Sequence, residues 1–93
     1  MRKEVEVKLT REVIKSWISC HLNLLKGLAR LYEISIPEYI CYPDDQALYL
    51  VRKIMKKTTS DEVIGNVIRN YTNIINYCCL LRNNIYIDKD LED

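Results

Sequence analysis

The chain has 93 residues, of which 48% are hydrophobic and 29% charged, a balance typical of one globular domain and too apolar for a disordered chain. Its 14 Lys and Arg residues are nearly matched by 13 Asp and Glu residues. The resulting net charge of +1 excludes the strong overall field with which basic proteins attract nucleic acid or anionic membranes.

A chain of this length encloses only a thin core, so we expect it to form a homo-oligomer. No apolar stretch is long enough to span a membrane, and Glu4 and Glu6 stand where a secretory signal would be apolar. These features predict a cytoplasmic protein without a membrane partner. The richness in Ile, Tyr, Asn and Lys favours an AT-rich genome, as in many thermophilic archaea or viruses.

Residues 3–9 alternate between apolar and charged side chains, which predicts a half-buried strand. Thr10 then predicts the N-cap of a helix at residues 11–32. Apolar residues recur along this helix at spacings of three and four, which predicts an amphipathic helix with one buried side. The predicted buried stripe is formed by Ile14, Trp17, His21, Leu24, Leu28 and Leu31.

A loop that contains Pro37 follows, and Pro43 predicts the first residue of a second helix at residues 43–57. Its predicted buried side consists of Ala47, Leu48, Val51, Ile54 and Met55. Four basic residues crowd its C-terminal end, where they complement the helix dipole and also form a candidate phosphate-contact cluster. They are Arg52, Lys53, Lys56 and Lys57.

Thr59 and Glu62 have the spacing of a capping box and predict a third helix at residues 60–82. Residues 85–87 have the composition of a short final strand, and the acidic tail 88–93 follows. The sequence thus predicts a single mainly α domain over residues 1–93, a three-helix bundle with one or two short strands. The third helix has an apolar stripe at heptad spacing, formed by Ile64, Val67, Tyr71, Ile74, Cys78 and Leu81.

The face of the third helix opposite this stripe is rich in asparagine. Asparagine lowers helix propensity, and a solvated face more often carries Lys, Glu or Gln, so this face is a candidate surface for a partner or for nucleic acid. Codon bias is the alternative explanation. The surface consists of Asn66, Arg69, Asn70, Asn73 and Asn76.

The chain's single histidine, His21, follows Cys20, but adjacent residues on a helix diverge and do not form a nucleophile and base. We interpret His21 as a stripe residue whose ring bonds a neighbouring helix. No paired-cysteine spacing predicts a zinc site, so we expect no catalytic site, metal or cofactor. A candidate dimer or core stripe is formed by Trp17, His21, Leu24, Leu28 and Tyr71.

The cysteines have no secretory context, so we expect reduced thiols that behave as small hydrophobic residues. Disulfides do occur inside hyperthermophiles, and the redox state stays open. The adjacent pair would form a disulfide only with strain. The four cysteines are Cys20, Cys41, Cys78 and Cys79.

Two segments resemble the ribbon-helix-helix family of dimeric DNA-binding regulators. Residues 3–18, KEVEVKLTREVIKSWI, resemble the groove-reading strand and the start of the first helix, and residues 59–71 resemble the opening of the second helix. The resemblance implies a phosphate contact at Ser60. It also implies that bases are read by Glu4, Glu6 and Lys8.

The sequence as a whole predicts a small non-catalytic interaction protein that contacts a protein partner and self-associates. The second prediction is a small dimeric DNA-binding regulator that uses the asparagine-rich face or the basic cluster.

Overall fold

The computed structural model describes residues 9–86 and is mainly helical, with three helices packed against one another. They are α1 (Arg11–Leu31), α2 (Pro43–Lys57) and α3 (Asp61–Arg82). Among residues 9–86 no strand is present, and Ile85 and Tyr86 lie in irregular structure. The predicted strand 3–9 lies outside the described residues except for Leu9. The mainly helical three-helix architecture is therefore confirmed, whereas the predicted short strands have no support.

Helices α1 and α3 begin at residues whose side chains cap a free backbone amide, whereas α2 begins at Pro43 without a side-chain cap. The Thr10 hydroxyl accepts a hydrogen bond from the Val13 amide at 3.2 Å, which confirms the predicted N-cap of α1. Pro43 lies in the first turn of α2, as predicted. The capping box predicted at Thr59 is wrong, because Ser60 is the N-cap of α3 and accepts from the Val63 amide.

Helices α1 and α3 end in the same way, each with a residue in the left-handed region. Glu33 has φ 58° and Asn84 has φ 56°. The Ile34 amide donates to the Ala29 carbonyl at 2.9 Å, while the Glu33 amide donates to that of Arg30. This bonding is a Schellman motif, which satisfies the last carbonyls of the helix. The amides of Ile85 and Asn84 repeat the pattern at the end of α3.

Contacts at the helix ends define the directions of packing. The Tyr32 hydroxyl donates to Thr58 Oγ1 at 2.8 Å, so the C-terminal ends of α1 and α2 meet. Arg82, the last residue of α3, bonds Asp44 near the start of α2 at 3.1 Å. Helices α1 and α2 therefore run parallel, and α3 runs antiparallel to both. Residues 32–42 return the chain along the bundle.

The core lies where the three helices meet. Its fully enclosed large side chains come from all three helices. Gln46 is also buried, and its Nε2 donates to the carbonyl oxygens of Pro37 and Ile40, which ties the return loop to α2. The enclosed side chains are Ile14, Leu25, Leu50, Ile54, Val67 and Ile74.

The buried sides of α1 and α2 differ from the predicted ones. On α1 the buried residues are Ile14, Ile18, Leu22, Leu25 and Ala29, so the stripe predicted through Trp17, Leu24 and Leu31 is displaced toward one side. Leu24 is 52% exposed and Leu31 is 78% exposed. On α2, Leu50 is enclosed, whereas the predicted core residue Met55 is exposed.

Candidate functional site

An aromatic and polar seam joins α1 to α3. The rings of Trp17 and Tyr77 lie 5.2 Å apart between centroids, and those of His21 and Tyr77 lie 5.8 Å apart. Both ring pairs are tilted, a geometry that aromatic contacts favour over face-to-face stacking. Sequence reasoning overlooked Tyr77, although its place one heptad after Asn70 is the signal that puts both residues on one side of α3.

His21 forms the polar link of this seam. Its Nδ1 lies 2.7 Å from Asn70 Oδ1, and an amide oxygen can only accept, so the histidine Nδ1–H donates. The interpretation of His21 as a residue that bonds a neighbouring helix is confirmed. The bond fixes the orientation of the imidazole ring beside Tyr77.

The asparagine-rich face is divided between packing and solvent. Asn70 lies in the seam with α1, where its Nδ2 also donates to the Asn66 carbonyl at 2.9 Å. The prediction that Asn70 lies on the face opposite the packed stripe of α3 is therefore wrong. Arg69 donates to Asn66 Oδ1 at 3.2 Å within the same helix. Asn66 and Asn73 are half-buried, while Arg69 and Asn76 are exposed.

A second apolar stripe runs along α1 beside its core stripe. We call it the outer α1 face: Trp17, His21, Leu24, Leu28 and Leu31. Its members alternate at spacings of four and three, the strict heptad repeat of a coiled-coil seam. None of them is fully buried, and Leu24 and Leu31 are largely exposed. Tyr71, which the sequence grouped with them, is half-buried on α3 and packs against the core.

The residues that border the outer α1 face on its solvent side are small and uncharged. A Cβ atom added at Gly27 would meet nothing within 4 Å, so this glycine is not required by packing inside the chain. The charged residues of α1 lie on another side of the helix. The bordering residues are Ser16, Cys20, Asn23 and Gly27.

The basic cluster of α2 is also divided. Arg52, Lys53 and Lys56 are exposed and line a shallow depression together with Tyr49. Lys57 turns elsewhere, since its Nζ donates to the Tyr32 carbonyl at 3.2 Å and so binds the C-terminal end of α1. The sequence placed all four cations together, and the structure brings only three of them to one face.

All four cysteines are free thiols in the structure, and Cys20, Cys41 and Cys79 are exposed. Cys78 is half-buried, and burial raises its pKa, with a further contribution from the nearby Asp44 carboxylate. The adjacent thiols of α3 thus differ in environment, as expected for neighbours on a helix.

No group of three or more metal-ligating side chains comes together among residues 9–86. In the same residues, no helix has both the length and the apolar character needed to cross a membrane. Ser60, which the ribbon-helix-helix resemblance assigns to phosphate, uses its side chain to cap α3. The proposed base readers Glu4, Glu6 and Lys8 lie outside the described residues. No family model, curated protein or solved structure matches the chain.

Proposed function

We propose that this protein is a non-catalytic interaction protein that self-associates through the outer α1 face. The observation that carries the proposal is the presence of two apolar stripes on one helix. The first, through Ile14, Ile18 and Leu25, is occupied by the core of the same chain. In the second, Trp17 and His21 contact Tyr77 of α3 and Leu28 packs against the core, whereas Leu24 and Leu31 are left exposed among residues 9–86.

The spacing of the outer stripe favours a helix as the covering element. Residues that repeat every 3.5 positions stay in line along a partner helix, as the heptad-spaced stripe of α3 does through Val67 and Ile74 inside this bundle. The small border residues Cys20 and Gly27 let a second backbone approach closely. The centre of a stable interface is depleted in charged residues, and so is this side of α1.

A second copy of the chain is the occupant that this surface fits best. A chain of 93 residues buries little apolar surface by itself, and pairing of two α1 helices would extend the core in both copies. Such a pair would be isologous, with each copy contributing Leu24 and Leu31 to the same dimer interface.

The test is Leu24→Glu, with sedimentation velocity over a concentration series as the measurement. Leu24 is already 52% exposed, so the fold of a single chain loses little. In a symmetric pair two carboxylates would enter the dimer interface. We therefore expect the dissociation constant of the dimer to rise by at least about a hundredfold, which corresponds to roughly 3 kcal/mol. Ile68→Glu is the matched control, because Ile68 is 49% exposed on α3.

Ile68 and Asn70 differ by about 200° around α3, so Ile68 points away from α1. The control variant should therefore associate like the unmodified chain. A chain that sediments as a monomer throughout the series would overturn the proposal. Equal weakening by Leu24→Glu and Ile68→Glu would place the contact elsewhere and would also overturn it.

The second candidate, a dimeric regulator that resembles ribbon-helix-helix proteins, stays a prediction. Its groove-reading strand is proposed for residues 3–9. Duplex DNA binding that is lost when Glu6 and Lys8 are replaced by Ala, with helical content unchanged, would support it. Duplex binding that these replacements leave intact would contradict it.

A further inference from the structure

The outward face of α2 combines cations with an aromatic ring. The six residues that line the depression there are one, two or three helical turns apart, so all of them belong to one side of α2. The depression has a volume of about 290 Å³. We call this surface the α2 basic face: Asp45, Leu48, Tyr49, Arg52, Lys53 and Lys56.

The three cations of the α2 basic face are exposed. The ion pair between Arg82 and Asp44 belongs to another side of the bundle. Asp44 is engaged in that ion pair. The acidic residue of the α2 basic face is Asp45, which lies at the N-terminal end of α2. Arg52 and Lys56 are separated by one turn, which is about 5–6 Å along the helix axis. A chain of phosphates can contact both residues without bending around the protein.

The aromatic ring distinguishes this face from a simple anion site. Lys53 Nζ lies 5.4 Å from the centroid of the Tyr49 ring, so an ammonium group and a π surface adjoin. Proteins that bind single strands pair basic residues with aromatic rings on which unpaired bases stack. Duplex bases already stack on one another and offer no free face to such a ring.

We propose that the α2 basic face binds single-stranded nucleic acid, with its three cations on phosphates and Tyr49 stacked on a base. Binding moves Lys53 from the ring to a phosphate and leaves the ring face to the base. This site is separate from the outer α1 face and does not depend on self-association.

The first test removes the cations. A triple variant with Arg52→Gln, Lys53→Gln and Lys56→Gln is compared by fluorescence anisotropy with the unmodified chain on a labelled single-stranded oligonucleotide. Three phosphate contacts on a single strand give a salt exponent of about −2. If the two proteins bind equally at 1 M salt, the triple variant should therefore bind about a hundredfold more weakly than the unmodified chain at 0.1 M salt. The slope of the logarithm of affinity against the logarithm of salt concentration should be shallower by about 2 in the triple variant.

A matched control keeps the overall charge equal. Arg11→Gln, Lys15→Gln and Arg30→Gln remove three exposed cations from α1, so both triple variants carry the same net charge. The control should bind within about threefold of the unmodified chain, because its three cations lie on α1, outside the α2 basic face. Nonspecific attraction follows the summed charge and would weaken both variants equally. An equal loss in both variants would overturn the proposed site.

The second test removes the ring. Tyr49→Leu should weaken single-strand binding by about 5- to 150-fold, the range for loss of one stacked base, and leave binding of inorganic polyphosphate unchanged. Tyr49→Phe retains the ring and should bind normally, which separates stacking from any effect on packing. Tighter binding of a duplex, or equal effects of Tyr49→Leu on both ligands, would overturn the proposal. So would the absence of single-strand binding by the unmodified chain.

Discussion

Asn70 provides a direct test of whether the asparagines of α3 hold the fold or serve recognition. Its side chain accepts from His21 on α1 and donates to the Asn66 carbonyl on its own helix. Asn70→Ala removes both bonds and leaves the imidazole Nδ1–H without its partner in a half-buried seam. Asn76 is exposed on the same helix and serves as the control.

The expected changes have opposite signs. Loss of a hydrogen bond lowers the free energy of unfolding by about 0.5–1.5 kcal/mol. A buried donor that is left without a partner lowers it by about 1–3 kcal/mol. Alanine regains about 0.5 kcal/mol of helix propensity at either position. We therefore expect Asn70→Ala to lower the free energy of unfolding by about 1 kcal/mol or more. Asn76→Ala should raise it by about 0.5 kcal/mol.

Urea unfolding followed by circular dichroism at one fixed protein concentration measures both changes, because association would make the midpoint depend on concentration. A double-mutant cycle with His21→Ala then isolates the bond, for which we expect a coupling of about 0.5–1.5 kcal/mol. A structural role for Asn70 is refuted if Asn70→Ala stabilises the protein as Asn76→Ala does, or if the effects of Asn70→Ala and His21→Ala are additive.

Three further outcomes are expected. Leu25→Ala, at a fully buried site, should destabilise the protein by about 2–5 kcal/mol in the same urea assay; a loss below about 1 kcal/mol would contradict the assigned core. Gly65→Ala should raise the melting temperature by about 3–8 °C, because a Cβ there meets nothing within 4 Å; a lower melting temperature would reveal a contact at this site. Burial raises the pKa of Cys78, so in native alkylation read by mass spectrometry it should react more slowly than Cys79, and equal rates would argue against its burial.

The raised pKa also sets a direction for stability. Because the fold favours the neutral Cys78 thiol, its contribution is complete below the ordinary thiol pKa and is lost as pH rises through the higher folded-state pKa. The free energy of unfolding should therefore decline in the alkaline range, and Cys78→Ala should remove that part of the decline.

Periodicity predicted the helices well because each is long and begins at a recognisable signal. The predicted bounds 11–32, 43–57 and 60–82 differ from the observed helices by at most one residue at any end. Spacing was less informative about orientation. Helix α1 has two adjacent apolar stripes, and the pattern gives their combined width without telling which one faces the other helices.

Tertiary contacts determined the remaining details. The sequence alone assigns Asn70 to the solvent-exposed side of α3, because its hydrogen-bond partner His21 is 49 positions away in the chain. Lys57 follows the other cations in sequence, but its Nζ donates directly to the Tyr32 carbonyl at the C-terminal end of α1, 25 positions away in the chain. Tyr49 lies three residues before Arg52 and four before Lys53, a spacing that makes them neighbours on one helix face. This spacing predicts the contact, but the sequence prediction considered only the charged residues.

The unequal connections between the helices have a kinetic consequence. Helices α2 and α3 are joined by residues 58–60 and form a local antiparallel hairpin, whereas α1 reaches its parallel place beside α2 only after the return loop 32–42 closes. Short closures form sooner because they restrict less chain. We expect the α2–α3 hairpin to form the folding nucleus and α1 to dock last, so replacements at Leu25 would mainly speed unfolding, whereas replacements at Val67 would slow folding.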